Sequence, residues 1–227
     1  MNARVDHLAV VADSLEQGAR WCEETFGVAP AAGGKHPLMG THNRLLAITG
    51  ERFPATYLEI IAIDPDAPAP PRPRWFAMDD DALRAALREQ PRFVHAIART
   101  QMIEMLRWGL INCGIDPGVP IAMYRDTPTA RLSWRITVRD DGHTQCGGAL
   151  PTLIQRDGSE HPCERLPASG VALRDLVLRG VPAQALDVLK LPAVQAVALR
   201  DGADAPLSAT FDTPRGRVVL DAWRPEP

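Results

Sequence analysis

The stretch "VDHLAVVADSLEQGARWCEETFG" (Val5–Gly27) decides the fold, because it predicts a buried strand followed at once by an amphipathic helix. Val5–Ala12 is apolar at nearly every position, which is typical of a strand that is buried on both faces. Asp13 or Ser14 then begins the helix, since each has a capping-box partner three residues further on. The predicted helix carries one apolar face and ends at Gly27, a residue type that commonly stops helices.

Three more strands complete this first unit, in "VAPAAGG" (28–34), Arg44–Thr49 and Tyr57–Asp64. The resulting order β-α-β-β-β recurs twice more at a spacing of roughly 80 residues, and such a repeat is informative about the fold. The second copy begins at Phe93–Thr100 and the third at Val171–Gly180. A unit of this kind leaves an apolar sheet face open, so we expect it to pair with another unit.

The repeats predict a division of the chain into three units and one linker. The first unit covers residues 1–65 and the second covers 79–165, with a proline-rich linker over 66–78 between them. Residues 166–227 form the third and most degenerate unit.

Composition narrows the function class. The chain has 227 residues with 25 Lys plus Arg and 28 Asp plus Glu, a balance that argues against a nucleic-acid partner. No stretch is long and apolar enough for a membrane span, and no signal peptide is evident, so a cytoplasmic location is expected. The four cysteines are scattered and are expected to be free thiols. His161 and Cys163 share a loop but are not expected to act as a nucleophilic pair.

Two buried strands of the first unit each carry one polar residue of a metal-ligand type. These are His7 in "VDHLAVV" and Glu59 in "YLEIIA". If the first and fourth strands are neighbours, the imidazole and the carboxylate face each other and suit a divalent metal such as Zn, Mn, Fe or Ni. The alternative is that both are hydrogen-bonded core residues.

The second unit contains a pair of residues that partly matches this one. His95 in "FVHAIA" occupies the place of His7, and Gln155 in "TLIQRDG" follows in a later strand. The four residues together would make a metal site with open positions, although a shift of one residue in strand register would remove His95 and Gln155 from it. In the third unit Asp175 stands where His7 does, and no Glu or His sits at the matching place in the last strand.

The stretch "GGKHPLMGTHN" (Gly33–Asn43) lies between the second and third predicted strands. Its glycines permit close backbone approach, but they do not form a phosphate-binding P-loop. Lys35, His36, Thr41 and Asn43 are candidate ligand contacts if this loop borders a cleft. The alternative is a solvated connection between strands.

Together, the segments "DHLAVVADSLEQGARWCEETFGVAP", "GGKHPLMGTHNRLLAI" and "YLEIIAIDP" resemble a glyoxalase-like domain of the vicinal oxygen chelate superfamily. The resemblance implies an α+β fold in which paired βαβββ modules form a curved mixed sheet with an open cleft. It also implies a metal in that cleft, with His7 and Glu59 as the firmer ligands and His95 and Gln155 as the second-module candidates.

Fold alone does not specify the reaction. The leading hypothesis is a metal-dependent lyase, isomerase or dioxygenase that acts on a small oxygenated substrate, with Glu59 also accepting a proton. The alternative is a metal-free protein that binds or sequesters a small molecule in the same cleft. A third possibility is a structural domain whose third unit forms a homodimer surface.

Overall fold

The computed structural model describes residues 2–126, 131–158, 160–199 and 204–225. Its larger sheet contains β1 (Arg4–Val11), β2 (Ala31–His36), β3 (Thr41–Ala47), β4 (Tyr57–Ile63), β5 (Arg92–Arg99), β6 (Val119–Asp126), β7 (Arg131–Val138) and β8 (Thr152–Arg156). The smaller sheet contains β9 (Ala172–Arg179), β10 (Gln195–Val197), β11 (Leu207–Thr213) and β12 (Gly216–Asp221). The helices are α1 (Leu15–Phe26), α2 (Asp81–Glu89), α3 (Ile103–Asn112) and α4 (Ala183–Leu189).

The larger sheet joins two modules along its middle. Its strand order is β2-β3-β4-β1-β5-β8-β7-β6, and the central strands β1 and β5 pair antiparallel. Within each module the first and last strands, β1 with β4 and β5 with β8, pair parallel. The sheet curls until its edge strands β2 and β6 are in contact. The predicted α+β fold of βαβββ modules around an open cleft is confirmed.

Local sequence signals explain how α1 is bounded. The Ser14 hydroxyl accepts a hydrogen bond from the backbone N–H of Gln17, so Ser14 rather than Asp13 is the N-cap. Gly27 ends the helix in the left-handed conformation, with φ of 80°. No described helix is long and apolar enough to cross a membrane.

Alternation along the strands separates two apolar cores on opposite faces of the larger sheet. On β1, Leu8 and Val10 belong to the outer core, which also contains residues of α1 and α3. Ala9 and Val11 belong to the inner core, which lines the cleft. The strand is therefore buried on both faces, as its sequence predicts.

The stretch Gly33–Asn43 is a β-hairpin, which corrects the prediction of a loop. Strands β2 and β3 extend through both of its ends, with His36 paired to Thr41, and only residues 37–40 form the turn. Both strands were predicted too far from the turn, because glycine, lysine and asparagine are depleted in strands. Strand β6 (Val119–Asp126) was not predicted.

The third unit has the expected element order but a different pairing. In its sheet, β9 pairs parallel with β10 on one side and antiparallel with β11 on the other. This sheet adds its apolar residues to the outer core, where the Phe211 ring meets the Phe26 ring of α1 edge to face at 5.1 Å between centroids. Asp175 pairs with Arg52, so it takes no part in the cleft.

The inter-module segment, residues 64–91, fills one end of the cleft. It begins as the extended proline-rich run, then makes a short turn at Trp75–Ala77 and continues into α2. Trp75, Phe76 and Met78, together with Leu83 and Leu87 of α2, are buried in the inner core. The segment is therefore part of the cleft wall as well as a connection.

Replacement of Phe211 by alanine tests the packing of the third unit against the first. Because the ring is fully buried, we expect Phe211→Ala to lower the free energy of unfolding by about 3–5 kcal/mol in a denaturant titration. Val219→Ala, at a side chain that is 57% exposed on the same sheet, should change it by less than about 0.5 kcal/mol. Equal effects would show that the third unit does not pack as described.

Candidate functional site

The inner face of the larger sheet borders a cavity of about 250 Å³. Both modules contribute to its lining, and the short segment after β8, residues 160–166, lies along one side. The walls are largely apolar and aromatic. The polar groups on the first-module side are His7, His36, Asn43 and Glu59.

Asp6 organises this polar cluster from beneath, although it was not predicted as a site residue. A break in the β1–β5 register falls between Val5 and His7, and bulges of this kind redirect side chains near functional sites. The fully buried Asp6 carboxylate accepts hydrogen bonds from His7 Nδ1 at 2.7 Å, Arg156 Nη2 at 2.6 Å and His161 Nε2 at 3.1 Å. One carboxylate thus connects β1, β8 and the segment that borders the cavity.

These contacts determine the charge of Asp6 and His7. Burial alone raises the pKa of Asp6, but the Arg156 charge and the hydrogen bonds from His161 and His7 outweigh it and hold the pKa well below its usual value. Burial alone lowers the pKa of His7, but hydrogen bonding to Asp6 and to Glu59 reverses the effect and raises it. His7 therefore favours the imidazolium form between two carboxylates.

Glu59 faces His7 from the neighbouring strand, with 3.5 Å between Oε2 and the His7 Nε2. Its other oxygen accepts a hydrogen bond from Asn43 Nδ2 at 2.5 Å. Burial opposes ionisation, but the hydrogen bond and charge of His7, the electrostatic effect of His36 and the hydrogen bond from Asn43 lower the pKa of Glu59 to about 2. Glu59 is therefore a carboxylate at neutral pH.

Two glycines place Asn43 against Glu59. The Asn43 side-chain oxygen accepts a hydrogen bond from the Gly34 backbone N–H at 2.8 Å, which turns the amide nitrogen toward Glu59. A Cβ at Gly33 would lie 2.0 Å from that side-chain oxygen, so only glycine permits the approach. This is the physical role of the glycine pair in the hairpin.

The remaining candidates from this hairpin divide between the two faces of the sheet. His36 is buried with its Nε2 4.0 Å from Glu59 Oε1, and its Nδ1 lies 3.1 Å from the Thr41 hydroxyl. Burial lowers the pKa of His36 to about 4, so this ring is neutral. Thr41 thus orients His36 and does not line the cavity. Lys35 points away and pairs with Asp64 at 2.7 Å.

His95 is placed in the second module as the sequence suggests, but its ring nitrogens are both engaged. Nδ1 donates to the Gly148 carbonyl at 2.8 Å, and Nε2 accepts from the Thr152 backbone N–H at 3.1 Å. Continuing the register in which Ile97 pairs with Thr152, the position that matches Glu59 in this module is Thr152. The His–Glu pair of the first module is thus a closed His–Thr pair in the second.

Gln155 lies on the opposite face of β8 from the cavity. Its side-chain oxygen accepts a hydrogen bond from the Ile103 backbone N–H at 3.0 Å, which satisfies a free donor at the start of α3. The adjacent residues Ile154 and Arg156 line the cavity instead. Side chains alternate along a strand, so Gln155 points to the opposite face from Ile154 and Arg156.

The described side chains do not fit the four-ligand metal site that the resemblance implies. Only the His7–Glu59 half of it faces the cavity, while His95 and Gln155 are bonded elsewhere. Among the residues that the structure describes, no group of three or more His, Cys, Asp or Glu is arranged to hold a metal ion.

The sequence interpretation overlooked most residues that surround Asp6. Arg156 also donates to the Tyr57 hydroxyl at 3.1 Å, and the Tyr57 ring stacks on His7 at 4.6 Å between centroids. His161 was considered only as a partner for Cys163, but its Nε2 bonds Asp6, and burial raises the pKa of the Cys163 thiol to about 11. The available signal was the Asp6–His7 dipeptide inside an apolar strand.

A match to a known sequence family shows which family this chain belongs to. The sequence model of a family described as "Glyoxalase-like domain" matches residues 5–191. The chain belongs to the glyoxalase-like domain family. The match covers both modules of the larger sheet and the first part of the third unit.

The solved structures that are similar to this glyoxalase-like protein are distant from it in sequence. A hypothetical protein from Staphylococcus aureus is 13% identical with a TM-score of 0.57, over 98% of this chain and 87% of that one. Methylmalonyl-CoA epimerase from Streptomyces coelicolor, in complex with 2-nitronate-propionyl-CoA, is 15% identical with a TM-score of 0.41, over 71% and 100%. The Mycobacterium tuberculosis enzyme is 15% identical with a TM-score of 0.39, over 69% and 88%. No curated protein matches the chain significantly.

His95 should make the stability of this glyoxalase-like protein depend on pH. Burial lowers the pKa of His95 to about 4, so on acidification the unfolded chain binds a proton before the folded one does. The stabilisation is complete above pH 6.5 or so and is lost as pH falls toward the folded pKa. We expect His95→Gln to reduce the slope of unfolding free energy between pH 6.5 and 4.5 by up to about 1.4 kcal/mol per pH unit. Parallel curves for the two proteins in that range would contradict a buried neutral His95.

Gln155→Ala separates a helix-capping role from a ligand role. Because the side chain satisfies one donor of α3, its loss should lower the unfolding free energy by about 0.5–2 kcal/mol. Ligand affinity and any turnover should be unchanged, as measured by calorimetry and rate assays at a temperature where both proteins are folded. A loss of metal or ligand binding without a loss of stability would reverse this assignment.

Proposed function

We propose that this chain is a glyoxalase-like enzyme that moves a proton on a small oxygenated substrate, in an isomerase or lyase type of reaction. The observation that carries the proposal is the pairing of His7 and Glu59, two buried groups of opposite charge that face one cavity 3.5 Å apart. Two neighbouring titratable groups whose environments push their pKa values apart are typical of an acid and base pair.

The roles follow from the two protonation states. Glu59, which is ionised, accepts the proton from a carbon next to a substrate carbonyl. His7, which favours the imidazolium, donates a hydrogen bond to the oxygen where negative charge develops. When the substrate oxygen takes the His7 Nε2–H, Glu59 loses part of its stabilisation, and its pKa rises toward the range of an effective base.

The surrounding residues support orientation and exclusion of water. Asp6 holds His7 from behind, so the ring cannot turn away from Glu59. Asn43 holds one Glu59 oxygen and leaves the other directed at His7. Trp75 and Trp134 are both buried and line the cavity, which lowers the local dielectric and strengthens these interactions.

A metal-dependent reaction of the lyase, isomerase or dioxygenase type is the second candidate. What favours it is the hydrogen bond from His7 Nδ1 to a buried carboxylate, an arrangement common behind metal-ligating histidines. His7 and Glu59 would hold the ion, and Zn, Mn, Fe or Ni would act there as a Lewis acid on adjacent substrate oxygens. The closed His95–Thr152 pair weighs against it, because the second-module position that matches the His7–Glu59 pair has no free ligand atom.

The other sequence-based expectations stay predictions. They are a division of the chain at residues 65, 78 and 165, a cytoplasmic location and a homodimer. Metal-free binding or sequestration of a small molecule is the alternative to both enzymatic candidates.

Glu59→Gln tests the proton acceptor. Deuterium incorporation from D₂O into a panel of 2-oxo acids and hydroxyketones is followed by NMR, with the wild-type protein treated with chelator. We expect the fastest exchange in the panel to fall about 10²–10⁴-fold in Glu59→Gln, because a general base contributes this much. Glu160→Gln is the matched control, since Glu160 also lines the cavity but pairs with Arg165.

Each result of this experiment assigns one candidate. Exchange that is lost on chelation and restored by Zn, Mn, Fe or Ni would favour the metal-dependent reaction over proton transfer by His7 and Glu59 alone. Tight binding without any exchange would favour sequestration. Equal activity of Glu59→Gln and Glu160→Gln would show that Glu59 is not the proton acceptor.

A further inference from the structure

The charged groups around the cavity are not all paired within the described residues. Each lining carboxylate has a protein partner: Glu59 has Asn43, Asp157 accepts from the Ser133 hydroxyl at 2.8 Å, and Glu160 pairs with Arg165 at 2.7 Å.

Of the three lining arginines, two are engaged in ion pairs. Arg156 bonds Asp6, and Arg165 pairs with Glu160. Arg125 also lines the cavity, and within the described part of the chain it has no hydrogen bond or ion pair. It is the lining arginine for which the described residues supply no anion.

Strand register directs Arg125 into the cleft. On β6 it lies two residues after Met123, whose buried side chain belongs to the inner core, so the two share a face of the strand. Its partner across the β6–β7 pair is Leu132, which also lines the cavity.

The Arg125 side chain crosses the gap between the two sheet edges and lies against Gly34 of β2. A Cβ at Gly34 would lie 2.4 Å from Arg125 Cδ and 2.5 Å from Nη1, so the glycine leaves the room that the arginine occupies. The guanidinium is thus held at the side of the cleft where the hairpin Gly33–Asn43 carries His36 and Asn43.

The electrostatic effect of Arg125 reaches the polar cluster. After burial and the effect of Glu59, the Arg125 charge is the next influence on His36, and it lowers the pKa of that ring. A guanidinium that lies near a neutral, buried imidazole and has no counter-ion among the described residues is costly to desolvate, and an anionic ligand would offset that cost.

We propose that Arg125 is the specificity determinant of this cleft and binds an oxyanion, a carboxylate or a phosphate, on an otherwise apolar substrate. The oxyanion accepts hydrogen bonds from the guanidinium fork, and the apolar part contacts Leu132 and Trp134. This seating presents the substrate's carbonyl side to the His7–Glu59 pair. The orientation of the substrate for reaction rests on the proposed function, whereas the binding of an oxyanion by Arg125 does not.

Calorimetric titration with three phenyl probes tests the proposal. Benzoylformate carries a carboxylate, phenyl phosphate carries a phosphate, and benzoylformamide is the neutral match of the first. We expect the wild-type protein to bind one of the charged probes at least about 10-fold more tightly than the amide, the effect of one charge-assisted hydrogen-bond pair. The tighter of the two charged probes identifies the oxyanion.

Arg125→Gln should weaken the preferred charged probe about 10–100-fold and leave the amide within about 2-fold. Arg125→Lys, which keeps the charge but not the fork, should lose an intermediate amount. Arg165→Gln is the matched control, because this arginine lines the same cavity but already has a partner. It should stay within about 3-fold of the wild type for every probe.

The proposal is overturned if charged and neutral probes bind alike, if none binds at about 10 mM, or if Arg165→Gln loses as much as Arg125→Gln. Glu59→Gln should bind the charged probe nearly as the wild type does. Normal binding by Glu59→Gln with unchanged proton exchange would therefore refute the proposed reaction and leave the role of Arg125 intact.

Discussion

The polar half of this cleft depends on one buried carboxylate. Asp6 is fully buried, and it is stable as an anion only because His7, Arg156 and His161 donate to it. Removing one partner of such a group typically costs about 3–5 kcal/mol, because the remaining charge is left uncompensated in a low dielectric. The three donors are therefore coupled in position: the orientation of His7 on β1 depends on a strand and a loop from the far end of the second module.

The two modules share a backbone pattern and have diverged in chemistry. In the first, His7 and Glu59 face open space; in the second, His95 and Thr152 bond to each other and the Phe76 ring lies 5.4 Å from His95. A neutral imidazole with both nitrogens satisfied has no capacity left for a ligand. The cleft is thus asymmetric, with an open His–Glu pair in the first module and a closed His–Thr pair in the second.

Much of the fold follows from local patterns, and so does the first half of the site. The strand–helix start at Val5–Gly27 has strong hydrophobic periodicity and clear caps, which is why its prediction is confirmed. The composition of the stretch Gly33–Asn43 made His36 and Asn43 candidates, and the structure does bring both to Glu59. Local patterns do not show how neighbouring strands are aligned. A bulge at Asp6 adds a second inward side chain to β1. On β8, alternation turns Gln155 outward and Arg156 inward.

Contacts between residues that are distant along the chain explain the other omissions. His161 lies 155 positions from Asp6, in a loop that carries no pattern of its own. Arg125 belongs to strand β6, whose sequence "VPIAMYRD" has a proline at its second position and was not recognised as a strand. Its position against Gly34 exists only because the sheet curls until its edges meet.

The inter-module segment gives the cleft an adjustable boundary. Trp75 and Phe76 shape the cavity, yet the chain that carries them is a connection and not a strand. Connections accept insertions, deletions and substitutions more readily than the strands they join. The volume and outline of this cavity can therefore change through residues 64–91 alone, while the sheet that holds the reacting groups keeps its register.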